Sequence, residues 1–172
     1  MVQQAETEGR GEIDDNDLPT SPPHPLIIAV STAARGGLLW LCAAAVLTWR
    51  GHARVAVRGV LAGGCGMAVS HALAPLVGRR RPRARDLPAR RALPERPSSS
   101  SFPSKHATTA AAFATAVALE RPSSGLWAMP LAAIVCYSRP RTRAHWPSDV
   151  YGGAALGVLI AVALRRSLRR LG

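Results

Sequence analysis

The stretch Ser138-Arg-Pro-Arg-Thr-Arg-Ala-His-Trp-Pro-Ser-Asp149 joins two apolar runs, Leu126 to Tyr137 and Val150 to Leu164. It spaces three reactive side chains: His145 follows Arg139 by six residues, and Asp149 follows His145 by four. An arginine clamps phosphate with a fork of N–H donors, an imidazole can attack phosphorus, and a carboxylate can hold that imidazole in one tautomer. The same letters also describe a basic loop followed by a capped helix, since Pro147, Ser148 and Asp149 make a favourable helix start.

Outward from this stretch, the chain of 172 residues divides into oily runs and very polar gaps. Leu26 to Trp49, Val55 to Val77, His106 to Leu119, Leu126 to Tyr137 and Val150 to Leu164 are the apolar runs. The first is long enough to cross a hydrocarbon core of roughly 30 Å. The turns Arg50 to Arg54 and Glu120 to Gly125 are short, so successive runs return antiparallel. The expected fold is therefore all-α, a polytopic membrane bundle of about five transmembrane helices. Gly59, Gly63, Gly64 and Gly66, and later Gly153 and Gly157, give two of these runs small-residue faces suited to close packing in lipid. Arg35 interrupts the first run; it either faces a wet interior or lies at the interface.

A net charge of +12 would point to nucleic acid in a soluble chain. The arginines here sit mainly between apolar runs, and no folded polar domain is expected, so nucleic acid is excluded in favour of the bilayer. Residues 1–25 read as a disordered acidic and proline-rich tail, with six acids between Glu6 and Asp17, and residues 26–172 as the membrane domain. The segment 78–103 is a basic loop broken by prolines, suited to attracting anionic headgroups. Cys42, Cys65 and Cys136 stand singly in apolar runs, which argues against disulfides and zinc. After Glu120 the only acid is Asp149, so no oxygen cluster for Mg²⁺ is expected, and no cofactor.

Two further stretches extend the pattern: Gly78-Arg-Arg-Arg81-Pro82, and Phe102-Pro-Ser104-Lys105-His106. With Ser138-Arg139, His145 and Asp149 they resemble the signature of the type 2 phosphatidic acid phosphatase superfamily. That signature is Lys, six residues, Arg-Pro; then Pro-Ser-Gly-His; then Ser-Arg, five residues, His, three residues, Asp. The chain departs from it twice, with Ala74 where the pattern has Lys and Lys105, its only lysine, where the pattern has Gly.

The resemblance implies metal-independent hydrolysis of a lipid-linked phosphate monoester or diphosphate through a phosphohistidine. His145 would be the nucleophile, Asp149 its orienting carboxylate and His106 the acid and base. Arg81, Arg139, Ser104 and Lys105 would bind phosphate, with Lys105 making up for the charge missing at Ala74. All motif elements fall at the same end of the alternating spans, so the site is expected at one membrane face. Arg50, Arg54, Arg121 and the carboxyl-terminal arginines place the other face in the cytoplasm, which makes the site extracytoplasmic, in a bacterial cell membrane by the composition. The alternative is a degenerate relative that binds phospholipid headgroups or a partner membrane protein without turnover. Nothing in the sequence bears on oligomeric state.

Overall fold

A computed structural model describes residues 24–82 and 99–170. The tail over residues 1–23 and the basic loop over residues 83–98 lie outside the described residues. Six α-helices follow in order: α1 Pro25–Ala33, α2 Leu38–Trp49, α3 Ala53–Val77, α4 Lys105–Glu120, α5 Pro122–Arg141 and α6 Pro147–Arg170. A 3₁₀ turn, Arg35–Gly37, separates α1 from α2. No strand occurs among the described residues.

The helices reproduce the order of the apolar runs, but they do not share one role. α3, of 25 residues, and α6, of 24, are long and apolar enough to cross a membrane, and the bent pair α1 and α2 adds a third crossing if taken as one span. α4 has only 16 residues, which at 1.5 Å per residue is about 24 Å, short of the hydrocarbon thickness. It is the buried axis of the bundle. Ala107, Ala110, Ala112, Phe113, Ala114 and Val117 are all fully enclosed, because α3, α5 and α6 pack around it. A helix sheathed in protein need not match the bilayer, so α4 fills the interior, while α3, α6 and the outer face of α5, with Leu126, Met129, Ile134 and Tyr137 exposed, lie on the outside of the bundle.

Small residues make this sheath possible. A Cβ at Gly59 of α3 would stand 2.9 Å from Phe113 Cε2, and one at Gly153 of α6 would stand 2.8 Å from the Ser104 carbonyl oxygen. At Gly157 it would run into the Thr108 carbonyl oxygen. The helices therefore approach backbone to backbone, as glycine at a lipid-embedded interface allows. On the other side of α4, Phe113 meets Trp40 of α2 with ring centroids 5.1 Å apart. At the far end, Glu120 pairs with Arg58 at 3.2 Å and with Arg165 at 3.5 Å, tying α3, α4 and α6 together. Arg58, near the start of α3, thus ends in an ion pair.

Replacing Gly157 by Leu should lower the thermal midpoint of the detergent-purified protein, by an overpacking cost of about 1–3 kcal/mol. The control is Gly64→Ala, where a Cβ meets nothing within 4 Å; its midpoint should hold or rise. Equal melting of Gly157→Leu and the native chain would contradict the close α4–α6 contact.

Candidate active site

The three motif stretches meet at one end of the bundle, and backbone chemistry explains how each arrives. α5 closes in a Schellman arrangement: Ala144 N–H donates to the Arg139 carbonyl at 3.1 Å, and Arg143 N–H donates to the Pro140 carbonyl at 2.9 Å. Arg143 occupies the left-handed position at φ 50, where glycine is the usual residue. The chain thereby reverses within a few residues and presents His145 just before α6. That helix then starts on one half of a capping box, with the Trp146 N–H donating to Asp149 Oδ2 at 2.9 Å.

His145 is buried and its tautomer is fixed. Nδ1 lies 2.7 Å from the Ser101 carbonyl oxygen; a carbonyl only accepts, so Nδ1 carries the proton and Nε2 keeps its lone pair. Arg81 Nη1 stands 3.3 Å from that Nε2 and donates to the Ala144 carbonyl at 2.6 Å. Arg81 also donates to the carbonyls of Ser99 and Ser100, at 3.1 Å each. The guanidinium is thus laid against the reactive nitrogen by backbone oxygens of two loops.

Asp149 plays a different part from the one expected of it. Its Oδ2 is 3.9 Å from His145 Nδ1, too far for a hydrogen bond, and the ring's orienting partner is the Ser101 carbonyl. The fully buried carboxylate instead pairs with Arg79 at 2.8 Å through Oδ1 and caps α6 through Oδ2. Its backbone oxygen accepts from Ser104 N–H at 3.1 Å, fastening the start of α4 to the start of α6. Asp149 positions His145 through this scaffold.

Ser104 and His106 stand where α4 begins. Ser104 holds the N-cap position, but its side chain makes no capping bond. Ser104 Oγ, His106 Nε2 and Arg139 Nε are all buried without a protein hydrogen-bond partner. Buried polar atoms are nearly always satisfied, so a group of exceptions marks a place built for a polar ligand. The first N–H groups of a helix add partial positive charge at that point. Arg139 Nη1 is held by the fully buried Ser31 hydroxyl of α1 at 2.5 Å. Lys105 opens α4 and, with His106, lines a neighbouring cavity.

Electrostatics set the protonation state of the ring. Burial, then the charges of Arg139 and Arg81, hold His145 well below the usual histidine range; the bond to Ser101 opposes this. Burial also lowers Arg81, and Asp149 opposes that shift. His145 is therefore neutral at neutral pH, with its Nε2 lone pair facing the Arg81 guanidinium.

The structure thus brings His145, His106, Asp149, Arg81, Arg139, Ser104 and Lys105 to one end of the bundle. Sequence reasoning missed Arg79, Ser31 and the Ser101 carbonyl. A buried Asp149 demands a cationic partner, and that demand points to the neighbouring arginines; a backbone carbonyl leaves no trace in the residue letters. Among the described residues, no three His, Cys, Asp or Glu side chains gather as metal ligands.

The fold defines a helical membrane protein with buried histidines and arginines gathered at one end. Residues 55–172 match the sequence profile of the PAP2 superfamily, and the chain belongs to that superfamily. Its fold is similar to the crystal structure of a transmembrane PAP2-type phosphatidylglycerolphosphate phosphatase from Bacillus subtilis. The TM-score is 0.66 at 20% identity, covering 87% of this chain and 80% of that one. The comparison with curated proteins gave no match. The long apolar helices and this likeness in fold make the chain an integral membrane protein.

Two outcomes test the site. Asp149→Ala leaves Arg79 facing a buried gap and uncaps α6, and should destabilise the protein by about 3–5 kcal/mol; the readout is thermal unfolding in detergent. A change within experimental error would remove Asp149 from the scaffold. Because the folded pKa of His145 is depressed, its contribution to stability is present above the unfolded value of about 6.5 and is lost as pH falls. By the same shift, the acid limb of kcat/KM belonging to His145 should lie below pH ~6.5. A limb at or above that value, moved by Arg139→Gln, would contradict the assignment.

Proposed function

We propose that this PAP2 protein is a metal-independent lipid phosphate phosphatase working through a phosphohistidine at His145. The observation that carries the reading is the His145 ring itself: the Ser101 carbonyl holds the proton on Nδ1, and Arg81 lies beside the unprotonated Nε2. Family membership supports phosphatase activity. Nε2 attacks phosphorus in line, the bond to the leaving oxygen breaks, and His106 gives that oxygen its proton. Water then attacks phosphorus, His106 takes the water's proton, and the P–N bond breaks to release phosphate. Arg81, Arg139, Ser104 Oγ and the first N–H groups of α4 meet the equatorial oxygens, where charge stabilisation matters most. Asp149 sustains the geometry by fixing the starts of α4 and α6 around His145.

Lipid-linked substrates suit a site at the end of a membrane bundle, and the structural neighbour is named as a phosphatidylglycerolphosphate phosphatase. The arginines of the opposite end, among them Arg50, Arg54, Arg121 and Arg165, support an extracytoplasmic site. The membrane domain over residues 26–172, which includes the basic loop 78–103 and follows the tail 1–25, is the proposed catalytic unit. Ala74 favours one second reading, a relative that binds phospholipid headgroups or a partner membrane protein without turnover. Purified protein should release phosphate from a panel of lipid phosphates in chelator, and His145→Ala should abolish release. An acid-labile, base-stable phosphoenzyme should form on the native chain alone. Hydrolysis that stops in chelator or survives His145→Ala sinks the mechanism; no hydrolysis of any substrate leaves the binding-only reading.

A further inference from the structure

The first span is built unlike the others. α1 stops at Ala33, α2 starts at Leu38, and the two axes differ by 62°. Between them Gly36 and Gly37 take φ of 59 and 82, left-handed values that glycine adopts without strain. A break in a lipid-crossing helix exposes backbone groups, and it is tolerated where it lines a cavity or lies against protein. This one does both. Ala34 and Gly36 line a cavity of about 620 Å³, whose other walls include Met67 and His71 of α3 and Lys105 and His106 of α4. On the protein side, Ser31 of α1 accepts from Arg139 Nη1.

Arg35 lies in this break, exposed, between two residues that line the cavity. Its charge is felt at His106 and at Arg139, so it stands within electrostatic reach of the phosphate site. The cavity is mostly apolar, with Lys105 beside His106 on its wall, a lining that suits an amphiphile with an anionic head. Its volume falls in the range of about 300–1,000 Å³ typical of ligand pockets.

We propose that the Arg35–Gly37 break is a substrate-binding element, in which Arg35 contacts the anionic headgroup of a lipid whose hydrocarbon occupies the cavity. An arginine is expensive in a membrane span unless it serves a function there. The break serves one by turning the helix so that a cation reaches the site from α1. The chain lacks a lysine at position 74 of α3, so the headgroup's charge is met from other elements: Arg35, Lys105 and the arginines of the motifs. The proposal rests on the reading of the ligand as a lipid phosphate.

The test is binding of dioleoyl phosphatidic acid in dodecylmaltoside, measured by thermophoresis on the His145→Asn protein so that nothing turns over. Adding Arg35→Ala should raise Kd about ten- to a hundredfold, the range of one charge-assisted contact. Arg35→Lys should recover most of it. The double change Gly36→Ala, Gly37→Ala should weaken binding with the charge retained, and dioleoylglycerol binding should be the same throughout. In the otherwise native chain, Arg35→Ala should raise KM and leave kcat nearly unchanged, which covers a His145→Asn protein that does not fold. An unchanged Kd and KM, an equal loss for dioleoylglycerol, or no phosphatidic acid binding with Arg35 intact overturns the proposal. Arg35-dependent binding without hydrolysis by the native chain would sink the phosphatase reading and leave this inference standing; hydrolysis with Arg35-independent binding would do the reverse.

Discussion

The carboxylate of Asp149 is fully buried, and a buried charge persists only when paired and hydrogen-bonded. Its needs organise the end of the bundle that holds the candidate site. One oxygen takes the Arg79 guanidinium, which anchors the segment after α3; the other takes the Trp146 N–H, which starts α6. The backbone carbonyl of the same residue holds Ser104 at the start of α4. Three segments distant in sequence are thus fixed to one residue. Arg81, two residues from Arg79, and His145, four residues before Asp149, inherit their positions from it.

That arrangement requires α4 to start in the centre of the bundle, beneath the site, and small side chains allow it. Glycines of α3 and α6 bring both helices against the backbone of α4. The alanines along α4 leave no bulk to hold the neighbours apart. A site made from the ends of four elements can be held to tenths of an ångström only if those elements cannot slide. The Glu120 pairs with Arg58 and Arg165 at the other end, together with the Phe113–Trp40 contact, oppose sliding.

Much of this was legible in the letters. Runs of apolar residues divided by arginine gave the helices and their order, and the spacing of Arg139, His145 and Asp149 marked the site. Hydropathy could not tell which helices face lipid, because an alanine-rich helix reads alike whether lipid or protein surrounds it; α4 is the second case. The orienting partner of His145 was misassigned for a related reason. A carboxylate four residues away on a helix looks like the natural partner, but Asp149 is already committed to Arg79 and to the cap. A carbonyl from the segment between α3 and α4 fills the role, and which carbonyl does so is a matter of tertiary placement that no residue type encodes.

Several of the local rules broken in this fold are broken at the site. Ser104 stands at an N-cap without capping, Arg143 takes a backbone conformation better suited to glycine, and His106 and Arg139 carry buried atoms without partners. Natural sequences depart from local consistency where function demands it. Here the departures have one electrostatic sense. Arg81 and Arg139 both disfavour a proton on His145, and Asp149 is already neutralised by Arg79. The end of the bundle therefore holds more positive charge than its own carboxylate can balance. A dianion relieves that imbalance, and it does so most fully when its charge is spread over oxygens facing Arg81, Arg139 and the start of α4, as in a phosphoryl group in transfer. In the proposed reaction, the charges that keep His145 neutral are also those that would hold the phosphoryl group.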